Sequence, residues 1–212
     1  MMKIKKIRII ILGILGIIAF GTYIYSNYII KINKTDLNSE TYGIIDDALP
    51  MEIEGVICIN SKYNMEKTFS HGQKLCNFIN DNYLNYSIYY YNAEINGKIS
   101  SQSIINGLND LNNNGIKKIN ISLSSKIYSD DIQNWIKDHK DIKVYASYNN
   151  KINSYDYPAM YEGVIASGEF NEVIKFKDID VQYKSKNIIG IAPFKVYSGN
   201  SFLSLISMLE NK

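Results

Sequence analysis

The chain opens with an apolar block and then settles into alternating short and long apolar patterns. No charged residue occurs from Ile9 to Ile30, and Ile9 through Phe20 is almost continuously apolar. That is near the roughly 20 residues a helix needs to cross a bilayer. Residues 31–50 follow with Thr35, Asp36, Asn38, Ser39 and Glu40 and no sustained period, which predicts a linker ending near Pro50. From Met51 onward β-rich runs alternate with helical ones. The strands are expected at Gly55–Asn60, Ser87–Asn92, Lys118–Leu123, Ile142–Ser147, Gly163–Ser167 and Ile188–Ile191. Helices are expected at Ser70–Asn82, Ser101–Asn114, Ser129–His139 and Ser201–Asn211, and Ile104, Ile105, Leu108 and Leu111 carry the three-and-four spacing of a buried helix face. Strands alternating with such helices imply crossovers, hence a three-layer α/β domain with a mostly parallel sheet and helices on both faces. Residues 51–212 make up this domain.

Charge sharpens the N-terminal picture. Of 23 basic residues, Lys3, Lys5, Lys6, Arg8, Lys31 and Lys34 fall before residue 35, where there is no acid, leaving 17 bases against 21 acids beyond. The overall +2 therefore hides a basic start and an acidic remainder, with no basic footprint for nucleic acid. The cluster in residues 1–8 should stay cytoplasmic and place the domain on the extracytoplasmic side of the cell membrane. The block at 9–30 is then a single transmembrane anchor, or a signal peptide cut near Ala19-Phe20-Gly21, giving a secreted domain. The 212 residues, 46% of them hydrophobic, suit one domain plus this appendage.

Ligands of such sheets bind at the carboxyl ends of the strands, and Asn60, Asn149 and the loop before Ser201 all fall at predicted strand ends. Three short motifs stand out in order: Ser70-His71-Gly72, Tyr148-Asn149 and Gly199-Asn200-Ser201. With Gly55-Val56-Ile57-Cys58-Ile59-Asn60-Ser61, Ser103-Ile104-Ile105-Asn106-Gly107-Leu108, Ile119-Asn120-Ile121-Ser122-Leu123, Tyr157-Pro158-Ala159 and Ile191-Ala192-Pro193, they resemble the ordered segments of subtilisin-like serine peptidases. The resemblance implies Ser201 as nucleophile, His71 as base, Asn149 as oxyanion donor, and Ser122, Leu123 and Ser124 along the substrate strand. It also puts Asn60 where that family carries the aspartate that orients the histidine.

A serine hydroxyl needs a base within hydrogen-bond reach, and the imidazole needs a third group to fix its tautomer and stabilise its charge. A neutral Asn60 accepts a hydrogen bond but supplies no charge. Leu205 replaces the family's proline after the nucleophile, Ser124-Ser125 replaces a glycine pair, and Asn60 precedes His71 by only 11 residues. Two functions from different classes follow. One is a membrane-anchored serine endopeptidase acting on a peptide or protein; the other is an inactive pseudopeptidase that binds a peptide or partner protein. No cofactor or metal is expected, because two His and two Cys lack zinc-site spacing. Cys58 and Cys76 are expected as two buried thiols, with a disulfide as the alternative outside the cytoplasm.

Overall fold

The computed structural model describes residues 2–31, 34–60, 63–150, 156–169, 181–183, 187–189 and 196–210. In chain order the elements are α1 (Met2–Tyr28), β1 (Ile29–Lys31), β2 (Thr35–Asp46), β3 (Val56–Cys58), α2 (His71–Asn82), β4 (Tyr83–Asn92), β5 (Glu94–Ile95), β6 (Lys98–Ile99), α3 (Ser101–Asn113), β7 (Lys118–Ile121), α4 (Asp130–Asp138), β8 (Lys143–Ser147), β9 (Val164–Glu169), β10 (Val181–Tyr183), β11 (Asn187–Ile189), β12 (Val196–Tyr197) and α5 (Asn200–Glu210). Seven of the strands form one sheet in the order β10-β9-β8-β7-β2-β4-β3, and every neighbouring pair is parallel.

The main correction to the sequence reading lies at residues 31–50. Thr35–Asp46 is not a linker but a long strand near the middle of the sheet, paired with β4 on one side and β7 on the other. Its first half is polar and exposed apart from the buried Leu37, and its last five residues, Tyr42 to Asp46, are fully buried. A strand buried on both faces reads as a short continuous apolar run rather than an alternation, and here the run is only Tyr42-Gly43-Ile44-Ile45.

Side-chain alternation along the strands sorts residues into two cores. Tyr42 and Ile44 of β2, Ile88 and Tyr90 of β4 and Tyr145 of β8 pack with α2 and α5. Ile45, Ile119, Ile121, Val144 and Ala146 pack on the other face with α3 and α4. Gly43 lies on the α3 side, where a Cβ would sit 2.9 Å from Leu111 Cδ1, so a larger residue would have to push the Leu111 side chain aside. By the same parity Asp46, two residues beyond Ile44, points toward the α2 and α5 face.

The predicted helices form within one residue of their expected ends, and sequence-local caps explain why. Ser70 accepts from Gln73 N–H at the start of α2, and Ser100 and Ser103 make a reciprocal capping box at α3. Trp135 packs in the α4 core, donates to Asn109 Oδ1 at 2.7 Å and stacks on His139, which gives both residues structural partners. Both cysteines are free, Cys76 fully buried and Cys58 only half-buried, so one of the two expected buried thiols is partly accessible. The Ile191-Ala192-Pro193 motif lies outside the described residues.

In α1 the side chains from Ile10 to Tyr23 are all exposed. Among the described residues, no helix is long and apolar enough to cross a membrane.

Because β2 carries Ile44 and Ile45 into both cores, the folded unit begins no later than this strand. A fragment of residues 29–212 should unfold cooperatively in urea, whereas 51–212, which lacks β2, should show no cooperative transition. Ile44→Ala in the longer fragment should cost about 2–5 kcal/mol, the usual range for emptying a fully buried isoleucine site.

Candidate active site

The carboxyl ends of β2, β7 and β8 and the N-terminal ends of α2 and α5 surround one shallow cavity of about 360 Å³. Asp46, Asp47, His71, Ser122, Leu123, Ser124, Asn149, Asn150 and Ser201 all line it. The structure therefore brings together six residues singled out in the sequence, His71, Ser122, Leu123, Ser124, Asn149 and Ser201, although 130 positions separate His71 from Ser201.

Asn60 is not among them, which corrects the expected partner of His71. β3 is the edge strand, two places from β2, or about 10 Å across the sheet at usual strand spacing. Asn60 is exposed there and spends both ends of its amide on Asn92: Nδ2 donates to the Asn92 carbonyl at 2.8 Å and Oδ1 accepts from its N–H at 2.9 Å. The partner of His71 is instead Asp46, whose Oδ2 lies 2.9 Å from His71 Nδ1. Asp46 is 0% exposed, and its Oδ1 accepts from the Asp47 N–H at 2.8 Å. The chain thus holds a carboxylate where the sequence reading had found only an amide, and 25 residues separate it from the histidine.

Environment sets the charge of this pair. Burial pushes Asp46 upward from the usual carboxylate range, while the His71 ring and the Asp47 N–H pull in the opposite direction. Burial would depress His71, but the hydrogen bond and charge of Asp46, with Asp47 adding to them, outweigh it and hold the imidazole above its ordinary 6.5. With 35% of its side chain exposed, the ring is accessible from the cavity while Nδ1 is committed to Asp46.

Ser201 sits in the first turn of α5, at the helix end where backbone N–H groups lack intrahelical partners and the dipole favours negative charge. Gly199 enters the helix at φ +115°, a backbone conformation that a side chain would strain. Asn150 closes this end by accepting from Asn200 N–H at 2.8 Å, and Asn200 Nδ2 donates to the carbonyls of Tyr148 and Asn149. Asn149 keeps its amide toward the cavity, with a long 3.4 Å contact to Ser124 Oγ. Behind the serine, Ser204 donates to Asn120 Oδ1 at 2.6 Å and Asn120 to Ser122 Oγ at 2.7 Å, a buried chain tying α5 to β7.

A second cavity of about 270 Å³ adjoins the first through Ile99, Leu123 and Ser124, and its walls include Ile104, Ile127, Ile132 and Tyr161. Leu205 lies in the core under α5, fully buried, and lines neither cavity.

Asp46 and Asp47 are the site residues the motifs missed. The available signal was Ile44-Ile45-Asp46, an apolar pair running into an acid as a buried strand does at its carboxyl end, followed by Ala48-Leu49-Pro50.

The fold is subtilisin-like. In structure the chain is similar to the prenylagaramide maturation protease PagA, with 15% identity over 81% of this chain and 74% of that one and a TM-score of 0.59. It is similar to the self-cleaved protease domain of PatA, with 14% identity, 84% and 78% coverage and a TM-score of 0.57. It is also similar to Apa1, a psychrophilic subtilisin-like protease from the Antarctic psychrotroph Pseudoalteromonas sp. AS-11, with 17% identity over 72% of this chain and a TM-score of 0.54. The chain spans 40% of the length of Apa1. No protein-family model matches the chain, and no curated protein matches it in sequence.

Gly72 shows how tightly α2 is seated. A Cβ there would lie 1.8 Å from the Tyr90 hydroxyl and 2.7 Å from Cζ of the same ring, which is itself fully buried. Gly72→Ala should therefore destabilise the domain by at least about 1–3 kcal/mol, the usual cost of overpacking, as read from the urea midpoint.

Proposed function

We propose that this chain is a membrane-anchored serine endopeptidase that cleaves peptide bonds through an acyl-enzyme at Ser201. The observation that carries the reading is the buried Asp46 carboxylate 2.9 Å from His71 Nδ1, in the same cavity as Ser201. It removes the main ground for an inactive binding protein, which was the neutral residue at position 60.

In the proposed reaction Ser201 Oγ attacks the scissile carbonyl carbon while His71 Nε2 takes the hydroxyl proton. Asp46 fixes the tautomer through Nδ1 and stabilises the imidazolium that forms. The carbonyl oxygen becomes an oxyanion facing the Asn149 amide and the first-turn N–H groups of α5, donors already in place before charge develops. Collapse of the tetrahedral species breaks the C–N bond, with the His71 proton passing to the leaving amine. Water, deprotonated by His71, then hydrolyses the ester and frees Ser201.

An extended peptide would lie along Ser122-Leu123-Ser124, adding its backbone to the segment that leaves β7. The neighbouring apolar cavity suits a hydrophobic substrate side chain. The Ser124 hydroxymethyl narrows the path that a glycine would leave open, which favours a substrate of small residues beside it.

Anchoring rests on the uncharged run from Ile9 to Ile30 behind Lys3, Lys5, Lys6 and Arg8. The exposed apolar side chains from Ile10 to Tyr23 surround α1 on all sides, the pattern of a helix that needs an apolar medium. The positive flank would place the peptidase domain outside the cytoplasm.

A fluorophosphonate probe should label Ser201 in the purified full-length chain, and Ser201→Ala should abolish the label. Absence of labelling in folded protein would overturn the peptidase reading. Asp46→Asn should slow labelling by up to about 10⁴-fold, as a charge-deleting change of this kind does in a serine-protease triad, whereas Asn60→Asp should bring no increase. Attack requires the neutral imidazole, so the rate should rise with pH; the midpoint should lie above 6.5 because Asp46 favours the charged ring.

A further inference from the structure

The residue after the His71 partner has a role that the reaction above does not use. We propose that Asp47 is a positioning residue for the His71 base, locking the first turn of α2 in place and, together with Lys67, setting the charge around the imidazole. The proposal rests on the peptidase reading only for its catalytic consequence.

Asp47 has four donors on its two carboxylate oxygens. Oδ1 accepts from Ser70 Oγ at 2.7 Å and Gly72 N–H at 2.9 Å; Oδ2 accepts from His71 N–H at 3.0 Å and Lys67 Nζ at 2.9 Å. Three of these come from consecutive residues at the N-terminal end of α2, where unpaired N–H groups otherwise face the cavity. Ser70 adds the local cap by accepting from Gln73 N–H, so the carboxylate and the cap form one continuous network. Asp46 holds the ring of His71 and Asp47 holds its main chain. Two successive acids at the end of one strand therefore grip a single histidine from both ends.

Four donors fill the acceptor capacity of a carboxylate, so Asp47 offers no spare lone pair to a substrate even though it lines the cavity. Lys67 has its own second partner in Glu94, whose Oε2 also accepts from Ala48 N–H at 3.1 Å. The Tyr90 hydroxyl donates to the Asp47 carbonyl. The charged or titratable groups around Asp47 and His71 are Asp46 from β2, Lys67 from the segment before α2, Lys74 and Cys76 from α2, Tyr90 from β4 and Glu94 from β5. These hydrogen bonds hold Asp47 below its ordinary value although burial works against them. Its negative charge favours the protonated imidazole, Lys74 on α2 opposes it, and the Lys67 ammonium, joined to the same Oδ2, should act in the same sense as Lys74 because like charges disfavour one another.

The arrangement predicts opposite effects from two substitutions. His71 and His139 are the only histidines, so both ring titrations can be followed by NMR on the ¹³C-histidine-labelled full-length chain in detergent micelles, with His139→Gln assigning the signals. Asp47→Asn should lower the His71 pKa by about half a unit, less than the 1–3 units typical of a charge in direct side-chain contact. Lys67→Met should raise it by a similar amount. A His71 titration that stays still, or moves the same way in both variants, would overturn the proposal. Should Asp47→Asn fail to fold, the sign of the shift in Lys67→Met decides alone. At a pH where His71 is fully neutral, Asp47→Asn should still slow fluorophosphonate labelling about 10-fold through loss of the α2 clamp, and a labelling rate equal to wild type would overturn the positioning role. If the wild-type chain does not label while the two titrations shift as expected, the peptidase reading falls and the structural role of Asp47 stands.

Discussion

One hydrogen bond, from the His71 ring to the buried Asp46 carboxylate, ties the sheet to the helices and gives the cavity its chemistry. A carboxylate with no solvent exposure is costly unless paired and hydrogen-bonded. Asp46 meets both conditions with the imidazole on one oxygen and the Asp47 N–H on the other. Those partners are available only because β2 runs through the middle of the sheet and ends beneath the first turn of α2. Moving Asp46 one residue along the strand would turn it toward α3 and the opposite core. The register of β2 with β4 and β7 therefore fixes the site, and the packing of Tyr42, Ile44 and Ile45 fixes the register.

Much of the architecture was legible in the residues. Helices with local caps and a three-and-four apolar face, such as Ser101–Asn113, announce themselves, and His71, Asn149 and Ser201 lie where short motifs placed them. The central strand was not legible for a physical reason. Its first half is polar and exposed apart from Leu37, its buried half is three apolar residues interrupted by Gly43, and neither part alternates. The strand at Gly55–Asn60 has a stronger apolar run, yet it pairs on one side only and forms the sheet edge. Motif resemblance alone therefore places the histidine's partner on this edge strand, at the neutral Asn60, instead of on β2 at Asp46. The apparent shortness of the interval before His71 came from the same displacement, since the interval from Asp46 is 25 residues.

The remaining departures from the subtilisin-like pattern act differently once placed in space. Leu205 is a core residue under α5, so it affects helix packing and not the cleft. Ser124 lines both cavities, so its side chain bears on the space they offer. The buried Ser204–Asn120–Ser122 chain links α5 to β7 and the segment that leaves it. A fully satisfied polar chain of this kind resists repacking because breaking any member strands a buried group.

The tautomer of His71 tests the central claim most directly. With Asp46 accepting at Nδ1, the neutral imidazole must carry its proton on Nδ1 and leave Nε2 unprotonated, as the proposed reaction requires. Nitrogen NMR of ¹⁵N-histidine-labelled protein, recorded well above the His71 pKa, distinguishes the two nitrogens by chemical shift. The account predicts a protonated Nδ1 and an unprotonated Nε2 for His71, with that preference lost in Asp46→Asn and kept in Asn60→Asp. A neutral His71 protonated on Nε2 in the wild-type chain, or a tautomer indifferent to Asp46, would contradict it.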